Sequence, residues 1–209
     1  MKLLLATRNR DKAREMEAAL DIEGLEVLCA ADIPDLPEVI EDADTLEGNA
    51  EKKARECSQF TGMWSLADDT GLEVEALNGA PGVYSARYAG PDATYADNVN
   101  HLLSELGDHK NRRACFKTVM ALSSPEGNTE WVQGECRGTI TLQPQGSSGF
   151  GYDPVFMPDG YTQTFAEISL EEKNGMSHRG RALRAAVDAW ADTLSSYCLL
   201  YTSPSPRDS

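Results

Sequence analysis

The chain has 209 residues, 41% of them apolar and 25% charged, which is enough to bury a sizeable core and excludes a disordered or fibrous protein. Asp and Glu number 34 against 19 Lys and Arg, a formal net charge of −15, which opposes nucleic-acid binding and anionic membranes but not a small polyanion held by a few clustered cations and a divalent metal. No apolar run approaches the roughly 20 residues of a spanning helix, and Leu3-Leu4-Leu5 lacks the length and cleavage region of a signal peptide, so the default address is cytoplasmic.

In chain order, residues 2–6 read as a short buried strand, Thr7-Arg8-Asn9 as a polar turn, and residues 11–20 as an amphipathic helix. A second strand is expected at 25–30, followed by an acidic loop at 32–44 carrying Pro34 and Pro37. Thr45 is placed to cap a helix that presents Ala50, Ala54 and Cys57 on one face and stops at Gly62. Residues 64–67 then form a buried strand that ends at Asp68-Asp69-Thr70-Gly71, a sequence with turn composition.

Residues 78–90 are punctuated by Gly and Pro, and 95–106 predict a helix closed by Gly107. Alternating runs at 115–122 and 131–140, separated by Pro125-Glu126-Gly127-Asn128, predict an antiparallel hairpin. The last helix is expected from near Ser177 to near Leu194. Residues 195–209 lack apolar periodicity and read as a disordered tail that need not belong to the natural domain, which leaves 1–194 as the functional unit. Strands alternating with helices indicate an α/β fold: an elongated mixed sheet with flanking helices, in two lobes around a central cleft. The five widely spaced cysteines form no Cys-x-x-Cys pair and point to reduced structural thiols rather than a zinc site.

Four stretches carry chemistry. Adjacent carboxylates at Asp68 and Asp69 repel each other unless cations lie near, and a strand would send them to opposite sides, one toward a cleft and one tied back into the backbone. Residues 7–12 combine a strand-to-helix turn with Lys12, the ingredients of a phosphate cradle without the glycines of a P-loop. Gly149-Phe150-Gly151-Tyr152-Asp153 sets a ring between glycines, suited either to stacking on a base or to plugging a core. Lys173, His178 and Arg179 gather donors at the start of the last helix, where cations oppose the helix dipole and call for an anionic neighbour.

Taken together and in order, Leu-Ala-Thr-Arg-Asn at 5–9 with Lys12, Gly-Asn-Ala at 48–50 with Lys53-Ala54, Ala-Asp-Asp-Thr-Gly-Leu at 67–72, Gly-Ala-Pro-Gly-Val-Tyr-Ser-Ala-Arg-Tyr at 79–88, Phe-Gly-Tyr-Asp-Pro-Val-Phe at 150–156 and Ser-His-Arg-Gly at 177–180 resemble the inosine triphosphate pyrophosphatase family. The resemblance implies a magnesium-dependent hydrolase, usually a homodimer, that converts ITP, dITP or XTP to the monophosphate and pyrophosphate. It implies Asp69 as catalytic base or metal ligand, supported by Asp68, with Glu41 or Glu38 as the second carboxylate on Mg2+. Thr7, Arg8, Asn9, Arg10, Asp11, Lys12, Lys53 and Thr70 would hold the triphosphate, Arg8 standing where the family commonly has glycine. Phe150 would stack on the purine, Gly151 and Tyr152 beside it would also bind substrate, Asp153 would be the pocket's acceptor, and Lys173, His178 and Arg179 its donors. Two alternatives stand beside this reading: a non-catalytic nucleotide sensor on the same fold, and a pyrophosphatase of the Maf type acting on modified pyrimidines.

Overall fold

The computed structural model describes residues 2–17, 20 and 24–202, with side chains described through residue 196. Strand β1 (Lys2–Leu5) leads through helix α1 (Arg10–Glu17) to a parallel partner β2 (Glu26–Cys29), with Leu3 opposite Val27. Helix α2 (Leu46–Thr61) begins where the Thr45 hydroxyl accepts the Gly48 amide at 3.1 Å and ends at Gly62, whose φ of 67° only glycine adopts without strain. It delivers the chain to β3 (Trp64–Val74), parallel to β1 on its other side.

Beyond β3 the chain turns antiparallel. The short β4 (Pro81–Gly82) pairs with β3; helix α3 (Tyr95–Leu106) starts at a reciprocal Thr94–Asp97 capping box; and β5 (Arg113–Ser123) and β6 (Thr129–Ile140) form the expected hairpin. An edge strand β7 (Phe156–Pro158) and helices α4 (Leu170–Met176) and α5 (His178–Thr202) complete the described residues. The strands make one mixed sheet ordered β2-β1-β3-β5-β6-β7, with β4 also on β3.

The two long strands β3 and β5 run through both lobes. In the first lobe Leu66, Met120 and Leu122 pack under α1 and α5, while Ala67, Val119 and Ala121 pack under α2. In the second, Leu72, Val74 and Phe116 join Leu102, Leu106, Ile140, Phe156 and Phe165. Between these apolar ends the same strands carry Asp68, Asp69, Thr70 and Thr118, which gathers carboxylates and hydroxyls where the two cores part. That waist places the cleft.

Three expectations need correcting. Asp68-Asp69-Thr70-Gly71 is not a turn at a strand's end: the strand continues to Val74, with Asp68 opposite Met120 and Asp69 opposite Val119, because β5 supplies ladder partners throughout. Helix α1 covers Arg10–Glu17 rather than starting at Asp11, and α4 had no counterpart in the predicted elements. Helix α5 continues through Thr202, so the first part of the expected tail is helical; residues 203–209 lie outside the described residues.

Candidate active site

Because side chains alternate along a strand, Asp68 and Asp69 enter different layers. Asp69 faces α2. Its Oδ2 accepts from Asn49 Nδ2 at 3.1 Å, its Oδ1 accepts the Thr70 amide at 3.1 Å, and Lys53 Nζ lies 3.7 Å from Oδ1. Asn49 and Lys53 are one helical turn apart on α2, which explains why both reach the same carboxylate. Lys53 also donates to Glu41 Oε1 at 2.7 Å and to the Asp68 carbonyl at 2.6 Å.

Burial raises the Asp69 carboxyl above its ordinary value; Lys53 and Lys12 oppose the shift and Glu41 adds to it. Burial acts on Asp68 too, but there Lys12, Arg179 and Lys53 prevail and hold the carboxyl well below the usual range. Lys12 Nζ lies 3.1 Å and Arg179 Nη2 3.3 Å from Asp68 Oδ2. Asp68, where one of the two carboxylates was expected to be tied into the backbone, is instead held by side-chain cations from α1 and α5. Its Oδ1 has no partner among the described residues.

The anion expected beside Arg179 is double. Arg179 pairs with Asp68 and with Glu15 of α1, and Glu15 Oε1 in turn accepts Lys173 Nζ at 3.0 Å. Lys173 Nζ also donates to Asp153 Oδ2 at 2.7 Å and lies 5.0 Å from the Phe150 ring centroid. Asp153 Oδ2 accepts the Phe150 amide as well, at 2.8 Å. Asp153 thus anchors the Phe150 loop through Oδ2 while lining the cavity where an acceptor was expected. Gly149 has φ 75° and a Cβ there would collide with the Asp153 carboxylate, so the anchoring requires glycine. Tyr152 serves the scaffold too, donating its hydroxyl to the Ser85 carbonyl at 2.9 Å.

His178 stacks on Phe116 with centroids 4.3 Å apart and planes at 11°. Burial, then the charges of Arg179 and Lys173, push its pKa well below the ordinary 6.5, so it is neutral at pH 7 and offers one N–H rather than two.

A cavity of about 290 Å³ connects these groups. Thr7, Arg8, Asn9, Lys12, Lys53, Asp69 and Thr70 line one part; Phe150, Gly151, Tyr152, Asp153, Lys173, His178 and Arg179 line another; Glu38 and Glu41 reach it from the acidic loop. Arg8 donates to the Leu36 carbonyl and Arg87 to the Glu41 carbonyl at 3.1 Å, fastening that loop over the site. Arg10 and Asp11 lie outside the lining. They sit on the outer side of the first turn of α1, where Arg10 pairs with Asp32 at 2.9 Å and Asp11 with Arg14 at 3.5 Å.

Glu15, Asn49, Arg87 and Tyr95 went unassigned in the sequence reading. Glu15 had one signal, its i+3 spacing from Lys12, and Asn49 and Arg87 lay inside quoted motifs; Tyr95 depends on helix α3 meeting the turn at Asn9. Among the described residues no cluster of three or more His, Cys, Asp or Glu forms a ready-made metal cage. Glu41 and Asp69 nonetheless suit magnesium, which is commonly held by one or two carboxylates with phosphate and water oxygens completing its shell. Burial is the main cause of the raised Asp69 carboxyl and Glu41 adds to it; a divalent cation between the two carboxylates would offset both.

A cationic turn and paired carboxylates at one end of a cleft, with a stacking ring and buried donors at the other, define a nucleotide-processing site. Residues 3–189 match the Ham1 family. The chain is 45% identical to a dITP/XTP pyrophosphatase of Gluconobacter oxydans over 192 residues, covering 92% of each chain, and 48% identical to one from Geobacter sulfurreducens over 189 residues, covering 90% of this chain and 95% of that one. A solved HAM1 protein from Coxiella burnetii superimposes with a TM-score of 0.82 at 37% identity, over 94% of this chain and 99% of its own. The chain belongs to the Ham1 family.

Proposed function

We propose that the protein hydrolyses deaminated purine nucleoside triphosphates, ITP, dITP and XTP, to the monophosphate and pyrophosphate. The observation that carries this reading is the polarity of the cavity. Lys53 lies 3.7 Å from Asp69 and Lys12 3.1 Å from the adjacent Asp68, while Lys173 lies 5.0 Å from the Phe150 ring and bonds Asp153, so a purine against that ring would lead its phosphates toward the two other lysines and Asp69 within the same cavity. The names of the relatives support the substrate class.

Lys12 and Lys53 bind phosphate oxygens and offset the charge that builds on them as water attacks the α-phosphorus. Asp69 orients that water and takes its proton through a carboxylate oxygen. Glu41 and Asp69 would hold Mg2+, which supplies Lewis-acid stabilisation of the phosphoryl charge. Two acceptors among the described residues, Glu15 and Asp153, take protons of Lys173, leaving its third donor for the O6 of hypoxanthine or xanthine. Adenine presents an amino group at that place and would leave the third N–H of Lys173 without an acceptor.

A homodimer follows from the family resemblance, and a reducing, cytoplasmic setting is consistent with the free cysteines Cys29, Cys57, Cys115 and Cys136. No helix among the described residues is long and apolar enough to cross a membrane. The decisive assay is pyrophosphate release from ITP, XTP, ATP and GTP with and without magnesium. ITP and XTP are expected to be preferred, with turnover lost on chelation; equal turnover of ATP and ITP would overturn the base assignment. Light scattering tests the dimer.

A further inference from the structure

Tyr95 lines the cavity, yet neither the phosphate turn nor the base wall accounts for it. It is the first residue of α3 and is held there by the Thr94–Asp97 capping box. Its hydroxyl accepts from Asn9 Nδ2 at 2.9 Å, and its ring lies 5.9 Å from the Phe150 ring at a 41° tilt. Asn9 has no freedom to move away: its Oδ1 caps α1 by accepting the Asp11 and Lys12 amides at 2.9 and 3.3 Å, which fixes where Nδ2 points. One exposed side chain therefore touches both a boundary residue of the phosphate end and the stacking residue of the base end.

In a nucleotide, the part lying between base and phosphates is the sugar. We propose that Tyr95 forms the outer wall of the sugar subsite, its ring packing on the ribose while its hydroxyl, tethered to Asn9, holds the ring across the cleft. This rests on reading the cavity as a nucleoside triphosphate site. A phenol suits the task because one edge is apolar and the other hydrogen-bonds. Since Asp69 is positioned from α2 and not from α3, Tyr95 acts on binding rather than on bond cleavage.

The test compares the parent with Tyr95→Ala and Tyr95→Phe, using ITP turnover and calorimetric binding of IMP and of tripolyphosphate, which has no sugar. Tyr95→Ala is expected to raise KM for ITP about fivefold or more, with the change falling on KM rather than kcat, as expected when uniform binding is lost. IMP affinity should fall in step while tripolyphosphate affinity holds, and Tyr95→Phe should be intermediate because the ring remains without its tether. Unchanged KM and IMP affinity in Tyr95→Ala overturns the proposal. So does an equal loss for tripolyphosphate, which would place the effect on the phosphate turn through Asn9. A parent that binds IMP but does not cleave ITP overturns the functional reading alone, and the IMP comparison still decides Tyr95; a parent that binds neither overturns both.

Discussion

Asp68 and Asp69 are identical, adjacent and both buried, yet their surroundings drive them in opposite directions. On the α1 and α5 side, Lys12 and Arg179 ion-pair directly with Asp68 and outweigh the cost of burial. On the α2 side, Asp69 has two neutral N–H donors, from Asn49 and the Thr70 backbone, and a lysine shared with Glu41, and burial prevails. A strand alternation of one residue is enough to separate an anion compensated by direct ion pairs, which braces the structure, from an under-compensated one, which remains available for a proton or a metal.

That contrast breaks most clearly by substitution. Asp69→Asn is expected to lower kcat for ITP by about 100- to 10,000-fold, with the urea midpoint unchanged or raised because a disfavoured buried charge is gone. Asp68→Asn should do the reverse in emphasis, costing about 3 kcal/mol of unfolding free energy in urea titrations because it leaves buried cations under-paired. If the two variants lost activity alike and stability alike, the division of labour would be wrong. Phe150→Ala sharpens the comparison between the two ends of the cleft. It should weaken nucleotide binding by about 1 to 3 kcal/mol, the range for a base–aromatic stack, read as KM for ITP, and leave tripolyphosphate binding intact.

The smallest effect is in the pH dependence. Asp69 has its folded pKa raised above 3.8, so kcat/KM should fall as pH drops through that raised value, and Asp69→Asn should lose this acidic limb. Asp68 is lowered from 3.8, so the stability it contributes is fully present above that value and is lost as pH falls toward its depressed pKa. For Asp69 the sign is opposite: its stabilising contribution lies below 3.8 and disappears as pH rises through the folded value. Acid-unfolding curves of the two Asn variants should therefore diverge from the parent in different windows.

Much of the fold was legible because its signals are local. Thr45 and Gly62 bracket α2, the α3 helix over 95–106 ends at Gly107, and Pro125-Glu126-Gly127-Asn128 marks the hairpin, each through backbone chemistry confined to a few residues. The ends of β3 were not legible, since Asp-Asp-Thr-Gly looks like a turn until β5 is known to pair with it. The candidate site divides the same way. Lys12, Lys53, Asp69, Phe150, Lys173, His178 and Arg179 stood out in motifs and line one cavity. Arg10 and Asp11 were grouped with them by proximity in the chain, but helical rotation turns them outward.

The order of charged and glycine-bounded motifs, with the alternation of apolar runs, by itself determined the α/β class and which side chains could do chemistry. What each of those side chains does was decided by tertiary structure. Glu15 joins Lys173 to Arg179 across more than 150 positions, Tyr95 spans Asn9 and Phe150 from two distant parts of the chain, and Asp153 ties the Phe150 loop to Lys173 of α4, 20 positions on. The physical reason is that burial and charge pairing set a group's proton affinity and freedom, and both are sums over neighbours in space that no local stretch of chain contains.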